Sequence, residues 1–177
     1  MANVQIVKPA NNASLFYNYK HYCSVVLMAV ADTDYQFIYV NVGAYGKEAD
    51  STVFKESDLW KNLQNGTLNI PGPTQFPGVD REMPYAFIGD EAFALSTNIL
   101  RPYSGTQLEE RKRVFNYRLS RARRYVECAF GILSNKWRIF HRPIDVKVDS
   151  ADDIVKCCVI HNFVRVRDGF TFEDTIC

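Results

Sequence analysis

Three acidic residues stand where a carboxylate could do chemistry. Asp90 follows Gly89 at the end of a short apolar run, Tyr85–Gly89, and open α/β sheets place ligands at the C-terminal ends of their strands. Asp50 stands where a predicted strand pair gives way to a helix. Glu127 lies in a long helical segment, one residue off its apolar stripe, which puts it at the edge of the buried face. Asp and Glu are hard oxygen donors of the kind Mg²⁺ and Mn²⁺ prefer. Two such ions, about 3.5–4 Å apart, stabilise both the attacking and the leaving oxygen of a phosphodiester. Helical spacing leaves two readings of Glu127 open. Arg123 and Arg124 lie one turn back and could pair with it, worth a few tenths of a kcal/mol. Gly131 lies one turn on, and a helical glycine, which costs about 1 kcal/mol against alanine, can mark a close approach to the backbone.

Basic residues cluster beside these acids. The 177-residue chain has a net charge of +1, which names no partner. Between Arg111 and Arg142, however, lie ten of its 21 basic residues and, among its 20 acids, only Glu127. A helix so charged can face phosphate, or it can be a solvated face paired with acids elsewhere. The cysteines fit no chemistry of their own. Cys23, Cys128, Cys157, Cys158 and Cys177 are odd in number and match neither a disulfide framework nor a zinc pattern. Cys157 and Cys158, with His161 beyond them, read as buried positions of a C-terminal helix. The N-terminus lacks the apolar core of a signal peptide, and Val25–Ala31 is too short to span a bilayer.

The elements that must position the acids follow from periodicity. With 47% apolar and 14% aromatic residues, the chain can bury the core of one ordinary domain. Val4–Val7, Tyr22–Ala31 and Phe37–Val42 read as strands, the last two joined as a hairpin through Asp32-Thr33-Asp34. The two aspartates there read as turn residues. Gly43–Gly46 is expected to break the strand. A helix then starts at Asp50 or Ser51, carries Val53, Trp60 and Leu63, and ends at Asn65-Gly66. Pro71, Pro73, Pro77 and Pro84 make residues 69–84 a loop before the strand that ends at Asp90. Phe115, Leu119, Ala122, Val126, Ala129 and Leu133 recur at steps of four and three, one buried stripe of an amphipathic helix. Trp137–Ile144 reads as extended, and a last helix runs from Asp152 to about Arg165. Strands followed by alternating strand and helix indicate a mixed sheet flanked by helices, an α/β fold over residues 1–168 with a tail at 169–177.

Several stretches, in order along nearly the whole chain, carry a family resemblance. They are Tyr17-Asn18-Tyr19-Lys20, Val42-Gly43-Ala44-Tyr45-Gly46 with Asp50-Ser51, Gly89-Asp90-Glu91-Ala92-Phe93 and Pro102-Tyr103. Phe115 to Arg123, Glu127-Cys128-Ala129-Phe130-Gly131 and His161-Asn162 complete the set. In these the chain resembles the nuclease domain of PIF/Harbinger transposases and the nucleases derived from them. The resemblance implies an RNase H-like fold and a DDE endonuclease site, with Asp90 and Glu127 as catalytic, metal-binding carboxylates and Asp50 as a third metal-site residue. It implies a divalent cation, Mg²⁺ or Mn²⁺, and DNA as substrate, with Arg118, Arg121, Arg123 and Arg124 as candidates for phosphate contacts. A nuclear location, a Myb-like DNA-binding partner and no membrane go with it.

The chain also departs from that family. The family's first catalytic Asp belongs to an Asp-Gly-x-His segment. Aligned through Val4-Gln5-Ile6, its His falls on Asn3 and its Gly on Met1, so the Asp falls before Met1. Asn41 stands where the family often has Asp. The expectation is a chain that begins inside the active-site strand. Three readings follow: an active nuclease, an incomplete copy of one, or a non-catalytic module that binds DNA or protein.

Overall fold

The computed structural model describes residues 1–144 and 151–168, leaving the predicted tail at 169–177 outside the described residues. The chain forms two compact units, one of Met1–Ala49 with the residues from Arg124 onward, the other of Asp50–Arg123.

The first unit is built on an antiparallel sheet of β1 (Ala2–Gln5), β2 (Ser24–Ala31) and β3 (Phe37–Tyr45), with β2 in the centre. Beyond β1, Ile6 and Ile144 form a parallel bridge. A short helix, α1 (Ala13–Phe16), precedes β2. β2 is the continuous apolar run of the sequence, and residues on both of its faces, Val25 and Leu27 as well as Val26 and Met28, are buried. β3 runs further than predicted. Gly43 does not end it but is skipped in the register, since Val26 pairs with Ala44 and Leu27 with Val42. A bulge residue at φ 118° suits glycine. Gly46, in the turn after β3, is packed so closely that a Cβ there would lie 2.5 Å from the Phe16 carbonyl oxygen and 2.6 Å from that of Ser24.

Helix α4 (Glu110–Lys136) carries the predicted stripe and contributes to both units. In the first unit Ala129 and Leu133 are buried against Val4, Leu27 and Phe37. The segment after it is extended only in part, at its end, where Ile144 bridges Ile6. Arg138–His141 is a 3₁₀ turn, held by the Phe140 amide donating to the Trp137 carbonyl at 3.0 Å and by His141 Nε2 on the Ser134 carbonyl at 2.8 Å. The aromatic and branched residues there suggest a strand, but these local bonds win.

Helix α5 (Ala151–Asp168) packs on β3. Three of its side chains grip the β2–β3 hairpin. Asn162 is bidentate on Phe37: its Oδ1 accepts from the amide and its Nδ2 donates to the carbonyl, both at 2.8 Å. His161 Nε2 donates to the Tyr35 carbonyl at 2.8 Å, and Arg165 donates through Nε and Nη2 to that of Asp34 at 3.3 and 3.1 Å. Asp32 closes the turn as expected, its carboxylate accepting from the amides of Asp34 and Gln36. Of the two cysteines expected to be buried, Cys158 is and Cys157 is only half-buried; the Cys158 thiol is pushed up to about 12, chiefly by that burial.

The second unit begins with α2 (Asp50–Glu56) and α3 (Asp58–Gln64), where the sequence suggested one helix. Ser57 separates them. Its hydroxyl donates to the Phe54 carbonyl at 2.6 Å and caps α3 by accepting from the Trp60 amide at 3.2 Å. Asn65-Gly66 ends α3 as predicted, Gly66 at φ 67°. Within the proline-rich segment, β4 (Thr74–Gln75) and β5 (Glu82–Met83) pair antiparallel. β6 (Phe87–Ile88) pairs parallel with β7 (Ile99–Leu100), whose Ile99 is buried.

Two predictions follow for the first unit. Asn162→Ala strands the amide and carbonyl of buried Phe37 together, so denaturant unfolding should show a loss of about 1–3 kcal/mol. The second concerns His161. Burial, first, and then the charges of Arg165 and Lys136 hold its imidazole below the ordinary value of 6.5, against the opposing pull of the Tyr35 carbonyl. Its Nδ1 has no hydrogen-bond partner among the described residues. A depressed folded value means the stabilising neutral form is present in full above 6.5, and stability falls as pH drops below it. Unfolding midpoints measured across that range should fall with acid, and less so in His161→Gln.

Candidate active site

Asp90 follows β6, at the C-terminal end of the parallel β6–β7 pair, as the sequence suggested. Its carboxylate Oδ1 accepts from the Ala92 amide at 2.9 Å, and its carbonyl accepts from the Phe93 amide at 3.3 Å. The turn so formed is packed from behind. The Phe93 ring lies against Gly89, where an added Cβ would come within 2.7 Å of the ring and 3.3 Å of the Phe93 Cβ. The ring also meets Phe54 of α2 edge-on, centroids 5.0 Å apart. Arg101 ties down the far side, donating to the carbonyls of Glu91 and Phe93 at 3.2 and 3.3 Å.

Asp90 opens onto a cavity of about 600 Å³, lined by Glu91, Pro102, Asn116, Leu119, Ser120 and Arg123 among others. One wall is thus the first half of α4 and the other the segment around Asp90. The lining is mixed in charge, with one arginine and two carboxylates. Asp50, in the first turn of α2, is half-buried. Burial pushes its carboxyl above the usual range, and the negative charge of Asp90 adds to the shift. Two acids 40 positions apart in sequence are therefore brought within electrostatic reach of each other. Their donor set is all oxygen, which fits a hard divalent cation, since a cation favours the ionised form of both.

The other predicted residues are placed as follows. Glu127 lies on α4 within the first unit and is exposed rather than at the edge of the buried face. Gly131 has open space where a Cβ would stand, so nothing among the described residues makes the close approach that a helical glycine suggested. Arg118, Arg121 and Arg124 are exposed on α4, and Arg123 is half-buried at the cavity. Among the described residues no three His, Cys, Asp or Glu side chains converge as a metal-binding group. Asn3, where the family has His, is instead part of a polar knot: it accepts from Ser24 Oγ, which accepts from the buried Asn18, both at 2.9 Å. Asn41 donates to the Tyr39 hydroxyl at 3.4 Å.

Sequence reasoning missed the part played by Asn116. Its carboxamide accepts from the Tyr103 amide at 2.8 Å and donates to the Tyr103 carbonyl at 2.9 Å, fastening the loop after β7 to α4. An asparagine in a helix interior, where its propensity is poor, was the available signal.

Residues 2–162 match the family described as DDE superfamily endonuclease, and the chain belongs to it. The fold is accordingly RNase H-like, and the motifs read from the sequence point to the same superfamily. Among curated proteins the chain is similar to Protein ALP1-like of Arabidopsis thaliana, at 29% identity over 97% of this chain; it spans 42% of that relative's length. No solved structure matches.

The packing behind Asp90 gives a prediction. Gly89→Ala cannot be absorbed by turning the Phe93 ring alone, because the Phe93 Cβ is also in the way. The ring must leave Phe54, and a loss of about 1–3 kcal/mol in thermal or denaturant unfolding is expected.

Proposed function

We propose that this chain is the divalent-metal-dependent nuclease domain of a Harbinger-like transposase or of a nuclease derived from one, and that it cuts DNA phosphodiesters. The supporting observation is Asp90, held by its own turn at the end of a parallel strand pair, beside a cavity that an arginine shares. Asp90 and Glu127 are the catalytic, metal-holding carboxylates in this reading, and Asp50 supports Asp90. Mg²⁺ or Mn²⁺, when bound, activates water and neutralises charge on the phosphate during in-line attack. Arg123 at the cavity, with Arg118, Arg121 and Arg124 on the exposed face of α4, holds the DNA backbone. A nuclear location and a separate Myb-like DNA-binding partner belong to the same proposal. Among the described residues no helix is long and apolar enough to cross a membrane.

A second reading is favoured by the lack, among the described residues, of three converging acids. In it the domain binds DNA or a partner protein through the basic helix and cuts nothing.

Nicking of supercoiled plasmid in Mn²⁺ separates the two. The nuclease reading expects cleavage by wild type and a loss of at least about a hundredfold in Asp90→Ala and in Glu127→Ala, the scale of removing a charge-stabilising group. Absence of cleavage, with salt-dependent DNA binding that survives both EDTA and Asp90→Ala, would replace it with the binding module.

A further inference from the structure

Tyr103 is held with unusual care for an exposed residue. Both of its backbone polar groups are taken by the carboxamide of Asn116. Its ring packs on Phe115 at 5.3 Å in a T-shaped arrangement, yet the residue stays 48% exposed. Pro102 before it fixes the chain on one side and lines the Asp90 cavity, as does Asn116 itself. Ordinarily a bidentate clamp and an aromatic neighbour serve to bury a ring. Here they hold one out to solvent at the rim of a cavity.

The surroundings of that ring are cationic. The Lys112 ammonium lies 5.5 Å from the Tyr103 ring centroid. An exposed aromatic ring beside an exposed cation is a surface on which an unpaired nucleobase stacks while the cation meets the phosphate. Paired bases cannot use it, since their faces are occupied within the duplex. A peptide with acidic side chains would satisfy the cation but give no reason to fix a ring in place.

We propose that Tyr103 is a stacking platform for an unpaired base of the DNA strand that enters the Asp90 cavity, with Lys112 on the adjoining phosphate. This rests on the reading of the chain as a DNA-cutting domain and adds the form of the DNA: a strand end, or a nucleotide drawn out of the helix, next to the phosphate that is cut. Tyr103 acts here as a positioning residue. The ring does not touch the reacting phosphorus; it fixes the register of the strand.

The test is fluorescence anisotropy on the full chain in EDTA, so that cutting plays no part. A fully paired duplex is compared with the same duplex carrying a short unpaired 3′ extension. Wild type should bind the extended probe more tightly, by roughly tenfold, within the range that one stacked base supplies. Tyr103→Ala should lose that preference while keeping its affinity for the paired probe. Tyr103→Phe and Tyr103→Trp should restore it, which a merely structural role of the hydroxyl or of the loop would not predict. Equal binding of both probes by wild type would overturn the proposal, as would a preference that survives Tyr103→Ala. Asp90→Ala should leave the preference intact. A chain that fails to nick plasmid but keeps a Tyr103-dependent preference therefore loses the nuclease reading and not the platform. Efficient nicking without the preference does the reverse.

Discussion

Backbone amides and carbonyls seek partners residue by residue, and among the described residues two asparagines each pair both groups of another residue. Asn162 takes both polar groups of Phe37 at the start of β3, and Asn116 takes both of Tyr103. A carboxamide presents one donor and one acceptor on a common plane, as a neighbouring strand does. Each asparagine thus supplies one rung of a ladder from the side of a helix. In the first unit this rung, with His161 and Arg165 on the carbonyls just before it, fastens the last helix to the turn of the central hairpin. In the second it fastens the loop after β7 to α4.

The surroundings of Asp90 depend on the same economy of contact. The acid is not buried in a polar network. It stands on a tight turn whose rear is filled by a single ring, Phe93, wedged between a glycine and Phe54. Arg101 holds the turn by two carbonyl oxygens, and among the described residues it makes no ion pair with a carboxylate. Asp50 is held above the usual carboxylate range by burial first, the charge of Asp90 adding to it, and a bound cation would act the other way.

What could be read from the residues was whatever repeats or punctuates locally. The β2–β3 hairpin, the α4 stripe and the Asn65-Gly66 stop follow from apolar periodicity and turn chemistry, and Asp90 at a strand end follows from the run that precedes it. The failures have local causes too. Gly43 looks like the end of a strand, but a bulge uses the same residue and continues. Ser57 breaks a helical pattern with its hydroxyl, which composition does not reveal. Residues 138–141 have strand-like side chains and yet turn. Glu127 stands one residue off the buried stripe and is exposed, and Gly131, where close approach is one of two readings, meets nothing among the described residues. Nothing near Asn116, His161 or Arg165 in sequence tells what they hold, since the last two grip residues 126 and 131 positions away.

That separation gives the fold an order in time. The hairpin can pair as soon as residue 45 exists, but the groups that complete its turn arrive with α5, after the whole second unit has been made. Closing so long a loop costs entropy that grows only slowly, about 0.6 kcal/mol per doubling, so the delay weakens the finished structure little. It bears on the nascent chain instead. Until His161, Asn162 and Arg165 dock, three hairpin residues keep carbonyls or amides turned toward water, and the strand that starts at Phe37 is an open edge available to any other chain. The closing contact of this unit is thus a late event in synthesis, and the interval before it is when the protein is most exposed to pairing with the wrong partner.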